Sequence, residues 1–377
     1  MTGTRADYGI MATIMKEVAA HPDVELQIVA TNMHLSPVFG TTVNEIEADG
    51  FKVDVKIPSL AIGDSAEATV KSMAKVQEGL ADAFKLLRPD IVVILGDRYE
   101  ALAAAAAAVV FNIPVAHLHG GETTEGAIDD KFRHAITQLS TYHFASTPQY
   151  ADKIISMGAP RDKVFHSGAP GAEVKNEFND EETFRLLSNE FQKKTGIAHD
   201  SPFILLAFHP VTLLPDQGIL ELKSTLQALD LFIKEGYMIL VTMPNSDPGN
   251  ESVRQIILEW ANQAKGSVKT VASLGSKLFH YALENAVAIV GNSSAALIEA
   301  PSHRLGSVNV GIRQKGRAHG ISVIDVQPET EEIVKALNTV MSLEMKAVLL
   351  GQPVSALNPY YRENSSGYIA SILINLR

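Results

Sequence analysis

Acids and bases are concentrated in one segment of the chain, residues 117–134, which reads HLHGGETTEGAIDDKFRH. It contains His117, His119, Glu122 and Asp129 around a pair of glycines, directly after an apolar run that is typical of a strand. Imidazole and carboxylate groups take up and release protons, and glycine lets a ligand approach the backbone closely. Because open α/β sheets place their sites at the carboxyl ends of strands, we expect proton-transfer chemistry here.

The two histidines of this segment alternate along the predicted strand, so both side chains should face the same way. A metal pair is one interpretation, but no third ligand follows at helical spacing, and we predict no metal. The pattern favours proton transfer or substrate contact by His119, with His117 lying deeper as a core histidine.

Further carboxylates lie in or beside segments that are predicted to be important for a site. Asp97 ends an apolar strand, where a carboxylate is unfavourable unless it is paired or functional, and Asp7 lies in the predicted first loop. Asp129 and Arg133 are one helical turn apart, as are Asp130 and His134. Both surface pairing and a catalytic carboxylate oriented by Arg133 fit that spacing.

The sequence lacks both the GxxxxGK[ST] phosphate loop and a GxGxxG motif after a strand. Residues 291–294, GNSS, instead follow an apolar strand and open a predicted helix. Backbone N–H groups with the hydroxyls of Ser293 and Ser294 would form an anion site there, although helix capping by serine is equally compatible. Glu299 lies further along that helix and would either bind a ribose diol or lie on the helix surface.

Basic residues are few, but they recur at predicted strand ends. Arg313 lies in GIRQKGR, residues 311–317, while Arg5 lies in the first loop and Arg98 follows Asp97. The planar guanidinium suits phosphate, and the number of such residues favours a diphosphate ligand over ordinary surface arginine. Two polar residues, His209 and Asn245, end successive strands of the second half.

The composition is that of an acidic globular protein, with 377 residues, a formal net charge of −11 and no cysteine. The absence of cysteine excludes disulfides, thiolate metal sites and a cysteine nucleophile. The negative charge argues against general binding to nucleic acid or a membrane surface. No apolar run is long enough to span a membrane and no signal-peptide pattern opens the sequence, so we expect a cytoplasmic protein.

The elements that would position these residues alternate between short apolar strands and helices, which indicates parallel sheets covered on both faces. The pattern restarts after a polar stretch, residues 172–200, that suits a domain connection. We therefore predict an α/β fold with two Rossmann-like domains facing each other across a cleft. The first spans 1–172 and is joined by the C-terminal helix 356–377, and the second spans 173–355.

The predicted strands are 26–31, 91–95, 114–118, 143–146, 203–207, 238–241, 268–271, 288–290 and 308–310. The main predicted helices are 65–87, 99–111, 129–141, 219–234, 250–264, 277–284, 294–302 and 328–343. A doubly wound domain normally opens with a strand, but only Met1 precedes the first motif here. Whether a first strand is missing is left open.

Seven motifs are spread over essentially the whole chain: TGTRADYG (2–9), GDRYEAL (96–102), HLHGGETTEGAIDDKFRHAI (117–136), FHPVT (208–212), PNSDPG (244–249), GNSS with Glu299 (291–299) and GIRQKGR (311–317). Each is weak alone, but together they closely resemble the hydrolysing UDP-N-acetylglucosamine 2-epimerases. These include the bacterial sialic-acid pathway enzymes and the epimerase half of the bifunctional animal enzyme.

The resemblance implies a glycosyltransferase B-type arrangement that binds UDP at the cleft and needs no NAD, other cofactor or metal. The implied reaction converts UDP-N-acetylglucosamine and water into N-acetylmannosamine and UDP, by elimination to a glycal and then hydration. The diphosphate and uridine would be held by Arg5, His209, Asn245, Ser293, Ser294 and Arg313, with Glu299 on the ribose. The acid/base candidates carried over by motif are Asp97, Glu122 and Asp129, supported by Arg98 and Arg133. From their positions in the sequence we add His119 as a catalytic candidate and Asp7 as a substrate contact.

The resemblance has two departures, because the animal enzymes have Glu in place of His119 and Ser in place of Gly9. It also leaves alternatives open. The same reaction could act on UDP-2,4-diacetamido-2,4,6-trideoxyglucose in the legionaminic acid route. A UDP-sugar glycosyltransferase, a non-hydrolysing epimerase and a non-enzymatic nucleotide-sugar sensor are less favoured. We expect a homodimer or homotetramer.

Overall fold

The computed structural model describes residues 1–173 and 180–376. The chain forms two compact units, each with its own sheets and core. Unit 1 comprises Met1–Thr123, Ile128–Gly171 and Arg362–Arg377, and unit 2 comprises Thr124–Ala127 and Ala172–Tyr361. Among the described residues, no helix is both long enough and apolar enough to cross a membrane.

The strands are short and mostly buried. In chain order they are β1 (Val29–Thr31), β2 (Val55–Ile57), β3 (Val92–Leu95), β4 (Val115–Leu118), β5 (Tyr142–Ala145), β6 (Val164–His166), β7 (Phe203–Ala207), β8 (Met238–Thr242), β9 (Val268–Val271), β10 (Ala288–Gly291), β11 (Ser307–Val310) and β12 (Val323–Val326).

The α-helices alternate with these strands over most of the chain. They are α1 (Arg5–Ala19), α2 (Val43–Ala48), α3 (Ala66–Leu87), α4 (Tyr99–Val110), α5 (Asp129–Leu139), α6 (Pro148–Ser156), α7 (Glu181–Thr195), α8 (Pro215–Lys234), α9 (Asn250–Gln263), α10 (Gly275–Asn285), α11 (Ala295–Ile298), α12 (Thr330–Met341), α13 (Leu343–Leu350), α14 (Val354–Leu357) and α15 (Ser365–Asn375). Single turns of 3₁₀ helix lie at Asn32–Leu35, Pro37–Phe39, Arg161–Lys163, Pro170–Ala172 and Ala300–His303.

All strand pairs are parallel, which confirms the predicted α/β class. Unit 1 holds a four-stranded sheet in the order β3-β4-β5-β6 and a separate pair of β1 with β2. Thr2 adds one isolated parallel bridge to Ala30 beside that pair. Unit 2 holds a six-stranded sheet in the order β12-β11-β10-β7-β8-β9. The chain reverses its direction of sheet growth at β7 and β10, which is where such folds bind ligands.

The central strands of unit 2 are buried on both faces. Along β7, Ile204 and Leu206 enter one apolar core, whereas Phe203 and Leu205 enter another. This alternation follows from the two-residue period of a strand, and it requires helices on both sides of the sheet. The continuous apolar runs in the sequence thus predicted these strands because every position of the run is covered.

One prediction about local structure was wrong, and another stretch holds more structure than its composition suggested. Arg5 and Asp7 lie in the first turn of helix α1 and not in a loop, because Thr4 and Asp7 form a reciprocal capping box at the start of this helix. The polar stretch predicted as a connection contains helix α7, which Asp180 caps at its start and Gly196 ends in a left-handed conformation. Residues 174–179 of that stretch lie outside the described residues.

His117 lies on β4, between Ile94 of β3 and His143 of β5, and is fully buried, which agrees with its predicted core position. Its Nε2 is 2.6 Å from the carbonyl oxygen of Gly96, which can only accept, so Nε2 carries the proton. Burial penalises the imidazolium and lowers the pKa of His117 to about 3. The imidazole therefore stays neutral and ties the end of β3 to β4.

Replacing Leu205 by Ala should lower the free energy of unfolding by about 2–5 kcal/mol, because a fully buried core side chain leaves a cavity. The matched control is Leu220→Ala on helix α8, since Leu220 is 63% exposed and its loss should change stability by less than ~0.5 kcal/mol. Chemical denaturation of both variants checks this, and equal effects would contradict the assigned core.

The neutral state of His117 predicts a pH dependence of stability. Unfolded histidine takes up a proton near pH 6.5, whereas folded His117 does so only near pH 3, so stability falls as the pH drops below 6.5. Between pH 7.5 and 5 this group should cost about 2 kcal/mol. His117→Gln keeps an N–H donor for Gly96 and should reduce the loss by that amount in denaturation curves at both pH values. An unchanged pH dependence would show that His117 is not held neutral.

Candidate active site

The loop after β3 carries an ion pair that is anchored by helix α5. Asp97 is the second residue after β3, and its carboxylate accepts a hydrogen bond from Arg133. The Arg133 side chain is only 1% exposed, whereas that of Asp97 is 24% exposed. Arg133 also lies 3.6 Å from Asp130. The structure therefore brings together two predicted site residues that are 36 positions apart, and leaves one side of the carboxylate accessible.

His119 lies just beyond β4 and forms a hydrogen-bonded chain with Glu122 and Ser146. Its Nδ1 is 2.7 Å from Glu122 Oε1, and the Ser146 hydroxyl donates to the same oxygen at 2.6 Å. Glu122 and Ser146 are fully buried, and His119 is 5% exposed. In the neutral imidazole, an Nδ1 that donates to the Glu122 carboxylate leaves Nε2 with a lone pair. That Nε2 has no hydrogen-bond partner among the described residues.

The backbone of His119 has a φ of +62°, a left-handed conformation that costs a residue with a side chain ~1–3 kcal/mol. Its N–H donates to the carbonyl of Phe144 at 3.0 Å, which ties the turn to β5. His119 therefore does not extend β4 beside His117, and the prediction that both histidines face one way from the strand was wrong. The strained turn directs the imidazole toward Glu122 instead, and the hydrogen bond with Glu122 fixes its orientation.

Arg98 is held by a residue that the sequence analysis did not single out. Its Nε donates to Glu100 Oε1 at 2.6 Å, and Glu100 is only 1% exposed. Burial raises the pKa of Glu100, and the charge of Arg98 opposes that rise. Nearby, the Asp7 carboxylate accepts from the backbone N–H groups of Gly3 and Thr4 at 2.8 and 2.7 Å. Asp7 thus caps helix α1, which is the role its spacing from Thr4 could have indicated.

In unit 2, Asn292 joins the ends of β7 and β10. His209 donates its backbone N–H to Asn292 Oδ1 at 2.7 Å, and Asn292 Nδ2 donates to the carbonyl of His209 at 2.8 Å. Gly291 has a φ of +133°, and a Cβ there would lie 2.1 Å from the carbonyl oxygen of Ala207. Only glycine permits this approach of the two strands, so Gly291 and Asn292 fix how both loops leave the sheet.

The loop that follows β11 is tied to the same asparagine. Arg313 Nη1 and Gln314 Nε2 donate to the carbonyl oxygen of Asn292 at 3.1 and 3.0 Å. Gln314 Oε1 in turn accepts from Arg317 Nη1 at 2.8 Å, and Gln314 is 3% exposed. The Nε of Arg313 is buried and has no hydrogen-bond partner among the described residues. Arg313 Nε is thus an unused donor among the described residues, and Gln314, which was not predicted as a site residue, links Arg317 to Asn292.

The strand order of unit 2 places the remaining candidates along one edge of the sheet. The carboxyl ends of β8, β7, β10 and β11 are consecutive in space, and they are followed in sequence by Asn245, His209, Ser293 with Ser294, and Arg313. The predicted helix 294–302 is shorter than expected, because α11 gives way at Glu299 to a 3₁₀ turn. Glu299 therefore lies at a helix junction and not on the side of a continuous helix.

Part of the segment that contains the acids and bases belongs to unit 2. Glu125 donates its backbone N–H to the carbonyl of Lys315 at 3.0 Å, and the two side chains are 3.1 Å apart. A Cβ on Gly126 would lie 2.3 Å from the carbonyl oxygen of Ile312. Thr124–Ala127 thus packs directly against the loop that carries Arg313.

Comparisons with known proteins agree with this architecture. A solved UDP-GlcNAc 2-epimerase from Neisseria meningitidis, bound to UDP-GlcNAc, superposes with a TM-score of 0.80 at 20% identity and covers 99% of this chain and 98% of that one. The "UDP-N,N'-diacetylbacillosamine 2-epimerase (hydrolyzing)" of Legionella pneumophila is 37% identical and covers 91% of this chain and 88% of its own length. The Escherichia coli polysialic acid biosynthesis protein P7 is 32% identical over 97% of this chain and 90% of its own.

A family model described as UDP-N-acetylglucosamine 2-epimerase matches residues 16–374. This match covers both units and includes all the residues placed above except those before position 16. The chain is therefore a member of the UDP-N-acetylglucosamine 2-epimerase family, as its seven motifs predicted.

Proposed function

We propose that this enzyme is a hydrolysing 2-epimerase, which converts a UDP-linked 2-acetamido sugar and water into UDP and the free sugar with inverted C2. The observation that carries this proposal is the oriented His119–Glu122 pair, whose buried Nε2 is free to accept a proton. Support for the hydrolysing outcome comes from the relatives in Legionella pneumophila and Campylobacter jejuni, which are 37% and 34% identical and are both named as hydrolysing.

The UDP portion is assigned to residues at the sheet edge of unit 2, together with Arg5. Arg313 and the hydroxyls of Ser293 and Ser294 bind the diphosphate, and Glu299 accepts from the ribose hydroxyls. Guanidinium donors are well suited to phosphate oxygens, and the Asn292 carbonyl holds the Arg313 side chain in place. The remaining uridine and diphosphate contacts are assigned to Arg5, His209 and Asn245.

The sugar chemistry requires a leaving group at C1 and a base at C2. As the C1–O bond breaks, its electron pair leaves with UDP, and the developing positive charge at C1 acidifies the C2 proton. His119 Nε2 takes that proton, which leaves a C1=C2 glycal. Water then adds its oxygen to C1 while a proton adds to C2 on the opposite face, so the product is the free sugar with inverted configuration.

The other acid/base candidates are assigned to that same sequence of steps. Asp97, oriented by Arg133, and Asp129 at the start of helix α5 supply or accept the protons of the hydration step. Arg98 and Asp7 are assigned to contacts with the substrate. Cations that stabilise the departing diphosphate lower the barrier as well as binding substrate, because negative charge grows there in the transition state.

Two sugars fit this reaction. UDP-N-acetylglucosamine, giving N-acetylmannosamine for sialic-acid-type synthesis, is the first candidate, and the likeness to protein P7 supports it. The alternative is UDP-2,4-diacetamido-2,4,6-trideoxyglucose, which is UDP-N,N'-diacetylbacillosamine, and the names of the Legionella and Campylobacter relatives favour it. A cytoplasmic location and assembly into a homodimer or homotetramer stay predictions.

Incubation with each UDP-sugar in deuterated water, followed by NMR, tests the proposal. We expect UDP and a free sugar that carries deuterium at an inverted C2, because the proton lost in the elimination is replaced from solvent. The sugar that turns over faster identifies the substrate. A UDP-linked C2 epimer as the final product would instead identify a non-hydrolysing epimerase, and transfer to an added acceptor would identify a glycosyltransferase.

A pair of substitutions separates chemistry from UDP binding. Asp97→Asn should lower kcat by about 10²–10⁴-fold while UDP affinity stays near the wild-type value, because an acid/base group is lost. Arg313→Ala should weaken UDP binding by about 10–100-fold, because a charged hydrogen bond to phosphate is lost. Calorimetry with UDP and steady-state kinetics measure both. Near-wild-type turnover of Asp97→Asn would remove Asp97 from the mechanism, and unchanged UDP affinity of Arg313→Ala would reject its role.

A further inference from the structure

We propose that Glu221, a buried residue of helix α8, is a positioning residue that holds the Arg313 loop in its diphosphate-binding conformation. This inference rests on the proposed function, since it takes Arg313 as a diphosphate ligand. No motif contains Glu221, and it lies 92 residues before Arg313 in the sequence. Its connection to the site is visible only in the folded chain.

The carboxyl group of Glu221 lies directly beneath the start of this loop. Glu221 is fully buried, and its Oε1 accepts from Gln217 Nε2 at 3.1 Å. Its Oε2 is buried without a hydrogen-bond partner among the described residues, and the backbone N–H of Ile312 faces the carboxyl group. Gly311 has a φ of +74°, and a Cβ built on it would lie 2.2 Å from the carboxyl carbon of Glu221. The carboxyl group therefore occupies the space that the absent side chain of Gly311 leaves.

The loop is held on its other sides as well. Gly126 packs against the carbonyl of Ile312, and the side chain of Arg313 donates to the carbonyl of Asn292. From beneath the turn, Glu221 presents its carboxyl group to the backbone N–H of Ile312. Removing it would free the Ile312 N–H and open a cavity under the turn, so the guanidinium would lose its fixed position.

A buried carboxyl group is costly, and a helix packed on a sheet would normally place an apolar residue here. Desolvation raises the pKa of Glu221, while the hydrogen bond from Gln217 and the nearby backbone N–H of Ile312 oppose that rise. The requirement at this position is thus an acceptor of the right length and not a negative charge. Glutamine meets that requirement, whereas alanine does not.

The test compares Glu221→Ala and Glu221→Gln with Thr225→Ala as the matched control. Thr225 is also fully buried on helix α8, and its hydroxyl bonds the carbonyl of Glu221 at 2.7 Å. We expect Glu221→Ala to weaken UDP binding about tenfold and to lower kcat/KM by at least as much, because a displaced Arg313 guanidinium would bind both UDP and the departing diphosphate less well. Glu221→Gln and Thr225→Ala should bind UDP within about twofold of wild type.

Two further measurements distinguish positioning from general destabilisation. Inhibition by uridine, which lacks the diphosphate, should be the same in Glu221→Ala and wild type. In an Arg313→Ala background, Glu221→Ala should have no further effect on UDP affinity, because the two residues act through one contact. Parallel losses of UDP and uridine affinity, or additive effects of the two substitutions, would overturn the inference.

The inference and the proposed function fail in different ways. If Arg313→Ala weakens UDP binding but Glu221→Ala does not, Glu221 has no positioning role and the UDP assignment of Arg313 stands. If Arg313→Ala leaves UDP affinity unchanged, the assignment of Arg313 itself is wrong, and the role of Glu221 is overturned with it.

Discussion

Burial of charge at the ends of parallel strands is the constraint on which the site of unit 1 depends. The guanidinium of Arg133 is almost completely buried, and a buried charge without its partner costs ~3 kcal/mol or more. Asp97 meets that requirement, so helix α5 is tied to the end of β3. The pair also holds a carboxylate at the edge of the sheet, with part of its surface accessible to a substrate.

The same constraint applies to the neighbouring pair of His119 and Glu122. Glu122 is fully buried and receives hydrogen bonds from both His119 and Ser146, which fixes the imidazole in one tautomer. The left-handed backbone at His119 is the conformational cost of that orientation. In unit 2, glycines set the paths of the loops that follow the strands. Gly291 lets the backbone of Ala207 approach, and Gly311 lets the Glu221 carboxyl group approach, where a side chain would clash.

The strands and the motifs at their ends could be predicted from the sequence, because both depend on the order of apolar and polar residues over a few positions. A strand buried on both faces is a continuous apolar run, and the polar residues after it mark the carboxyl edge of the sheet. Helix α1 was missed although Thr4 and Asp7 have the spacing of a capping box, and helix α7 was hidden by its polar composition despite a cap at each end.

Contacts between residues that are far apart in the sequence could not be predicted. The spacing of Asp129 and Arg133 suggested that these two act together, but it carried no sign that Arg133 also pairs with Asp97 on another element. In the sequence, Gln314 and Glu221 look like ordinary loop and helix residues. In the folded chain, Gln314 bonds the Asn292 carbonyl and Glu221 packs against Gly311. Local propensity carries no information about such contacts.

The fate of the oxygen of water tests the central claim, that UDP departs by cleavage of the C1–O bond and water then adds to the sugar. Turnover in ¹⁸O-labelled water should yield UDP with no label in its phosphates, as read by mass spectrometry, because the bridging oxygen leaves with UDP. Label in the β-phosphate of UDP would show that water attacks phosphorus, and would contradict elimination through a glycal.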